Sequence, residues 1–135
     1  MINLSVHVAF KIYSSKYWDP LKLDTIEALS PGVAEEMVDT GVNQGISRAA
    51  KFLQRALTLF NNRGKIYDDL IVDGDIGEKT VRALGDYLAY RGDEGEVILL
   101  RALNALQGSF YIDLAERREK DESFVYGWFK NRVVM

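Results

Sequence analysis

"GISRAAKFLQRALTLF", Gly45 to Phe60, decides the fold class. Ile46, Ala49, Ala50, Leu53, Ala56, Leu57 and Phe60 recur at steps of three and four, which gathers them into one apolar stripe of an α-helix. Arg48, Lys51 and Arg55 fall on the other side. A strand would alternate in twos. The spacing therefore predicts a helix over about residues 47–61, buried along one face, inside a helical domain.

Working upstream, "LSPGVAEEMVDTGVN" begins with Ser30 as an N-cap and Pro31 at the first helical position. Glu35 and Glu36 follow near the positive end of the helix dipole. This helix is expected to run to Val42 and stop at Gly45. The polar, glycine-bounded patch Asp39 to Gly45 is then either a junction between two helices or the lining of a site.

Downstream, "NNRGKIYDDLIVDGDI" is rich in Asn, Gly and Asp and reads as a loop. A helix follows from Gly77 to Tyr90, with Val81, Leu84 and Leu88 on one side. "RGDEGE" breaks it. The longest helix is expected from Glu94 to Lys120, with Leu99, Leu103, Leu106, Phe110 and Leu114 inward and its charged last turns in solvent. The tail carries Phe124, Tyr126, Trp128 and Phe129 and should pack back on the body. The expectation is an all-α fold, an irregular bundle of about five to six helices.

At 135 residues the chain is one domain by length, 1–135. The net charge of −3 gives no bulk attraction to nucleic acid or to an anionic membrane. The absence of cysteine excludes disulfides, thiolate metal sites and a cysteine nucleophile. His7 is the one histidine, which leaves no basis for a histidine-built metal site. No cofactor motif is present. "MINLSVHVAFKIY" lacks a basic leader region, and Lys11 interrupts its apolar run, so the chain is expected to be cytoplasmic as synthesised. No stretch approaches the roughly 18 apolar residues of a spanning helix.

Four groups could carry function. Tyr17 and Trp18 stand just before the helix-breaking Asp19-Pro20; their rings suit the apolar faces of sugars, or Trp18 is a core anchor. Asp39 and Asn43, one turn apart, put a carboxylate and an amide side by side, with Gln44 next to them. Such a pair can hold a glycan hydroxyl or acetamido group, or satisfy backbone at the junction. Asp73, Asp75 and Glu78 in "VDGDIGEKT" miss the calcium-loop spacing and read as a turn, with Asp75 or Gly77 capping the next helix. The early glutamates Glu27, Glu35 and Glu36 have no neighbours that single one out as a general acid.

"IYSSKYWDPLKLD", "DTGVNQGISRAAKFLQRAL", "VDGDIGEKTVRAL" and "FVYGWFKNRV" occur in the order seen in the phage and bacterial N-acetylmuramidases of glycoside hydrolase family 108. The chain resembles that family from about Ile12 to Val133, and most closely its C-terminal predicted peptidoglycan-binding region. The resemblance implies a lysozyme-like helical body. It places the segment from Asp39 to Gly45 close to the substrate cleft, which makes Tyr17, Trp18, Asp39 and Asn43 candidate glycan-binding residues. Family members carry a Glu-Gly-Gly-Tyr motif whose glutamate is the catalytic acid. These 135 residues contain no such motif.

The leading expectation is therefore a peptidoglycan-binding, muramidase-like module that is catalytically incomplete on its own and acts at the cell wall or periplasm. An alternative is one part of an active, endolysin-type muramidase whose glutamate lies upstream or on another chain. A third is a protein-interaction domain, for instance a homodimer, meeting its partner through Val6, Val8, Ala9 and Phe10.

Overall fold

A computed structural model describes residues 21–117 and 122–131. Five helices are present among them: α1 (Leu23–Leu29), α2 (Pro31–Gln44), α3 (Ile46–Leu59), α4 (Glu78–Arg117) and α5 (Glu122–Asn131). No strand occurs among the described residues, and the fold is all-α. Helix α1 was not expected from the sequence. Two turns are too short for a helical period to show, and only Leu23 and Ile26 of it are buried.

Ser30 ties three helices together. Its N–H closes α1 by donating to the Ile26 carbonyl at 2.7 Å. Its Oγ caps α2 by accepting from the Val33 N–H at 3.1 Å, and its hydroxyl also donates to Glu96 Oε2 on α4. Pro31 then occupies the first turn of α2, where its missing N–H costs nothing.

Gly45 separates α2 from α3 at φ 105°, ψ 149°, a region essentially closed to other residues. Its N–H donates to the Gly41 carbonyl at 3.0 Å, and its own carbonyl accepts from Ala49 at 3.1 Å. One residue thus ends the first helix and begins the second. Of the expected stripe of α3, Ala49, Ala50, Leu53, Ala56 and Leu57 are buried and Ile46 and Phe60 half-buried; Phe52 and Gln54 are buried as well, because α3 is packed by both α2 and α4.

The 60–77 loop is tied to α3 throughout. Tyr67 donates its hydroxyl to the Leu57 carbonyl, and Leu70 N–H donates to Thr58 Oγ1 at 3.1 Å. Burial pushes the Tyr67 phenol up, so it stays a donor. The break expected in "RGDEGE" is a single residue, Gly92 at φ 65°, ψ −153°, which divides α4 into two limbs. Tyr87 spans the kink by donating to the Gly95 carbonyl at 2.7 Å.

The main core collects Leu21, Leu23 and Ile26, then Val33 and Met37 of α2, Leu53 and Leu57 of α3, and Leu84, Tyr87, Leu99 and Leu103 of α4. In the second limb the buried row is Leu99, Leu103, Gln107 and Tyr111, whereas Leu106, Phe110 and Leu114 are half-buried. The tail packs back, as α5, on the end of α4 through Trp128 and half-buried Phe129, whereas Tyr126 stays exposed. Val125 and Trp128 join Tyr111 in a second small core, with the Trp128 and Tyr111 rings 5.1 Å apart.

Candidate glycan-binding site

The Asp39 to Gly45 patch is both junction and polar cluster. On α2, Glu36, Asp39 and Asn43 follow at helical spacing and share a face. Asn43 Nδ2 donates to Asp39 Oδ1 at 3.2 Å, on the exposed side of the cluster. From beneath, fully buried Gln107 of α4 donates to Glu36 Oε2 at 3.0 Å and reaches Asp39 Oδ2 at 3.4 Å. Gln44 closes the cluster by donating to the Gln107 carbonyl at 3.2 Å.

Asp39 and Asn43 are thus side by side, as their spacing predicted, with Asn43 open to solvent. Gln107 was missed. It stands four residues from both Leu103 and Tyr111, in the row of the helix that packing buries. One amide fixing two carboxylates sets their rotamers. Among the described residues, the buried oxygens Oε1 of Gln44 and Gln107 have no hydrogen-bond partner.

Beside the junction, the Arg48 guanidinium lies 4.2 Å from the centre of the Phe110 ring. Both line a hollow of about 500 Å³ with Asp113, Glu116 and Arg117. Tyr17 and Trp18 lie outside the described residues, as do Val6, Val8, Ala9 and Phe10. Of the early glutamates, Glu27 and Glu35 are exposed and only Glu36 enters the cluster.

The "VDGDIGEKT" segment is a turn held by a side chain. Gln54, 1% exposed, donates to Asp73 Oδ1, the Asp75 carbonyl and Thr80 Oγ1, and accepts from the Gly74 N–H. Asp73 Oδ1 also accepts the Asp75 N–H at 2.9 Å. The Asp75 N–H, then Gln54, hold the Asp73 carboxyl below the usual range. Gly77, not Asp75, precedes α4, and its carbonyl accepts from Val81. Gly74 sits at φ 82°, and a Cβ there would collide with Ser47 Oγ. Asp73 is thus used in holding the loop against α3, whereas Glu78 pairs with Arg82 at 2.8 Å within α4.

Residues 48–133, well over half of the chain, match the family described as Predicted Peptidoglycan domain. The chain belongs to this predicted peptidoglycan domain family. Residues 1–45 match Glycosyl hydrolase 108, so the order is that of a family 108 muramidase followed by its peptidoglycan domain. The chain is accordingly a peptidoglycan-binding, muramidase-related module. No curated protein matches it. The two matched stretches meet at the Gly45 junction. Tyr17, Trp18, Asp39 and Asn43 all fall in the hydrolase-like stretch, whereas Gln107 belongs to the peptidoglycan domain, so the cluster straddles the seam. No helix among the described residues is long and apolar enough to cross a membrane.

Proposed function

We propose that this chain holds peptidoglycan at the seam between α2 and α4, with Asp39 and Asn43 as the glycan-contacting pair and Tyr17 and Trp18 as their aromatic complement. The observation that carries this is the Gln107 amide, which reaches across the seam to fix the Glu36 and Asp39 carboxylates. A carboxylate accepts from sugar hydroxyls and acetamido N–H groups, and the Asn43 amide both donates and accepts. The chain acts as one unit over 1–135; supporting this, the main core draws residues from both sides of Gly45.

The same reading makes the chain a binder that does not cleave by itself. Hydrolysis needs a carboxylic acid placed to protonate the leaving oxygen. The clustered carboxylates accept from an amide, and the 135 residues carry no Glu-Gly-Gly-Tyr motif. Cell wall is then its site of action. Asp39→Asn combined with Asn43→Ala should weaken pelleting with purified sacculi about tenfold, the scale of one lost polar anchor, while the melting temperature holds. Unchanged binding in that double variant would remove the seam from the reading. Lysis of sacculi by the purified chain would instead favour the muramidase alternative.

A further inference from the structure

A second surface lies wholly within the peptidoglycan domain. Three hollows follow one another between the 60–70 segment and α4, the first of them reaching past the Gly92 kink. The first, about 360 Å³, is lined by Phe60, Tyr87, Tyr90, Arg91, Glu94 and Ile98 among others. The next, about 590 Å³, shares Tyr90 and adds Asn62, Lys65 and Asp86. The third, about 370 Å³, shares Asp86 and Ile66 with the second and reaches Lys79 and Arg82. Shared walls make these one trough. Each section has the size of a small-ligand site, and in series they suit an extended chain.

The walls are built and internally satisfied. Buried Asn61 donates to Asp69 Oδ1 at 2.7 Å and accepts from the Gly64 N–H at 3.0 Å. The loop between turns through three consecutive left-handed residues, Asn62, Arg63 and Gly64. For Asn62 and Arg63 that conformation costs energy, which the surrounding bonds sustain. Arg91 donates to the Phe60 carbonyl at 3.0 Å, tying α4 to the end of α3.

Tyr90 is the exception. It sits where two hollows meet and is 66% exposed, while Tyr87 three residues earlier is fully buried. Its ring offers an exposed flat apolar platform in a trough whose walls mix apolar residues such as Phe60, Ile66 and Ile98 with charged ones. Lys65 and Arg91 supply cations there, and Asp86 and Glu94 supply carboxylates. That mixture disfavours a nucleic acid backbone, which a carboxylate repels, and an apolar peptide, which would strand the charges. It fits a chain of pyranose rings, whose C–H faces stack on an aromatic while hydroxyl, acetamido and carboxylate groups find donors and acceptors at the rim.

We propose that this trough seats a glycan strand of peptidoglycan, with Tyr90 as the stacking platform and Lys65, Asp86 and Glu94 as the hydrogen-bonding rim. The assignment rests on the peptidoglycan-binding reading and adds a contact independent of Asp39 and Asn43. The test is pelleting of the full chain with purified insoluble sacculi over a concentration series. Tyr90→Ala should bind about tenfold more weakly with unchanged circular dichroism, and Tyr90→Trp should bind as the wild type does. Asp86→Ala provides a second exposed variant, expected to lose about threefold, and Arg101→Ala on another surface of α4 should lose nothing. Combining Tyr90→Ala with the Asp39→Asn, Asn43→Ala pair should multiply the two losses, as separate contacts do. If the wild type pellets and the Tyr90 and Asp86 variants pellet equally well, the trough is wrong and the peptidoglycan reading survives. If the wild type itself does not pellet, both fall.

Discussion

At the scale of single residues, two buried glutamines organise the molecule. Gln54 satisfies the "VDGD" turn with its whole amide, so Gln54→Ala strands the Gly74 N–H and frees Asp73 and Thr80. Urea unfolding should show a loss of about 2–3 kcal/mol, the cost of a buried polar group left without its partner plus a cavity. Asp73 gives a pH signature. Its folded carboxyl titrates below the unfolded one, so its stabilisation is full above the unfolded value of about 3.9 and is lost as pH falls through the lower folded value. Melting curves from about pH 6 down to about pH 2 should fall less steeply at the acid end for Asp73→Asn than for the wild type. Asp39 and Asn43 were legible as a pair because helical spacing alone brings them together. Gln107 was not. A lone glutamine in a helix gives no sign of facing two carboxylates until the partner helix is placed, some 68 and 71 residues away in sequence.

At the scale of elements, glycines decide where helices end and how closely they approach. Gly45 has open space around it, so Gly45→Ala would suffer from backbone conformation rather than collision. Denaturant unfolding should show about 1–3 kcal/mol lost, with the α2–α3 angle preserved only if the rest of the core enforces it. Gly108 is the opposite case. A Cβ there would lie 3.0 Å from both the Trp128 and Phe129 rings. Gly108→Ala should push α5 off α4 at a cost of about 1–3 kcal/mol and open α5 to limited proteolysis, with α1–α3 still protected. The α3 helix and the break near Gly92 were readable from spacing and glycine. Helix α1 was not, because its two turns draw their stability from burial of Leu23 and Ile26 rather than from any periodic pattern.

At the scale of the whole molecule, the all-α class followed from one apolar stripe, but the arrangement that matters for function did not. The trough depends on how Asn61, Tyr67 and Thr58 fold the 60–77 loop back on α3, which places it beside α4. Those bonds join residues whose pairing has no local signature. The seam cluster likewise exists only once α2 and α4 are packed on one core, fed by both the hydrolase-like stretch and the peptidoglycan domain. On the proposed reading both are surfaces that hold a glycan strand. The most direct test pairs sacculus pelleting with a turbidity assay on the same purified 135-residue chain. Saturable binding with no clearing is the predicted result; clearing of the suspension, or failure to bind at all, would contradict it.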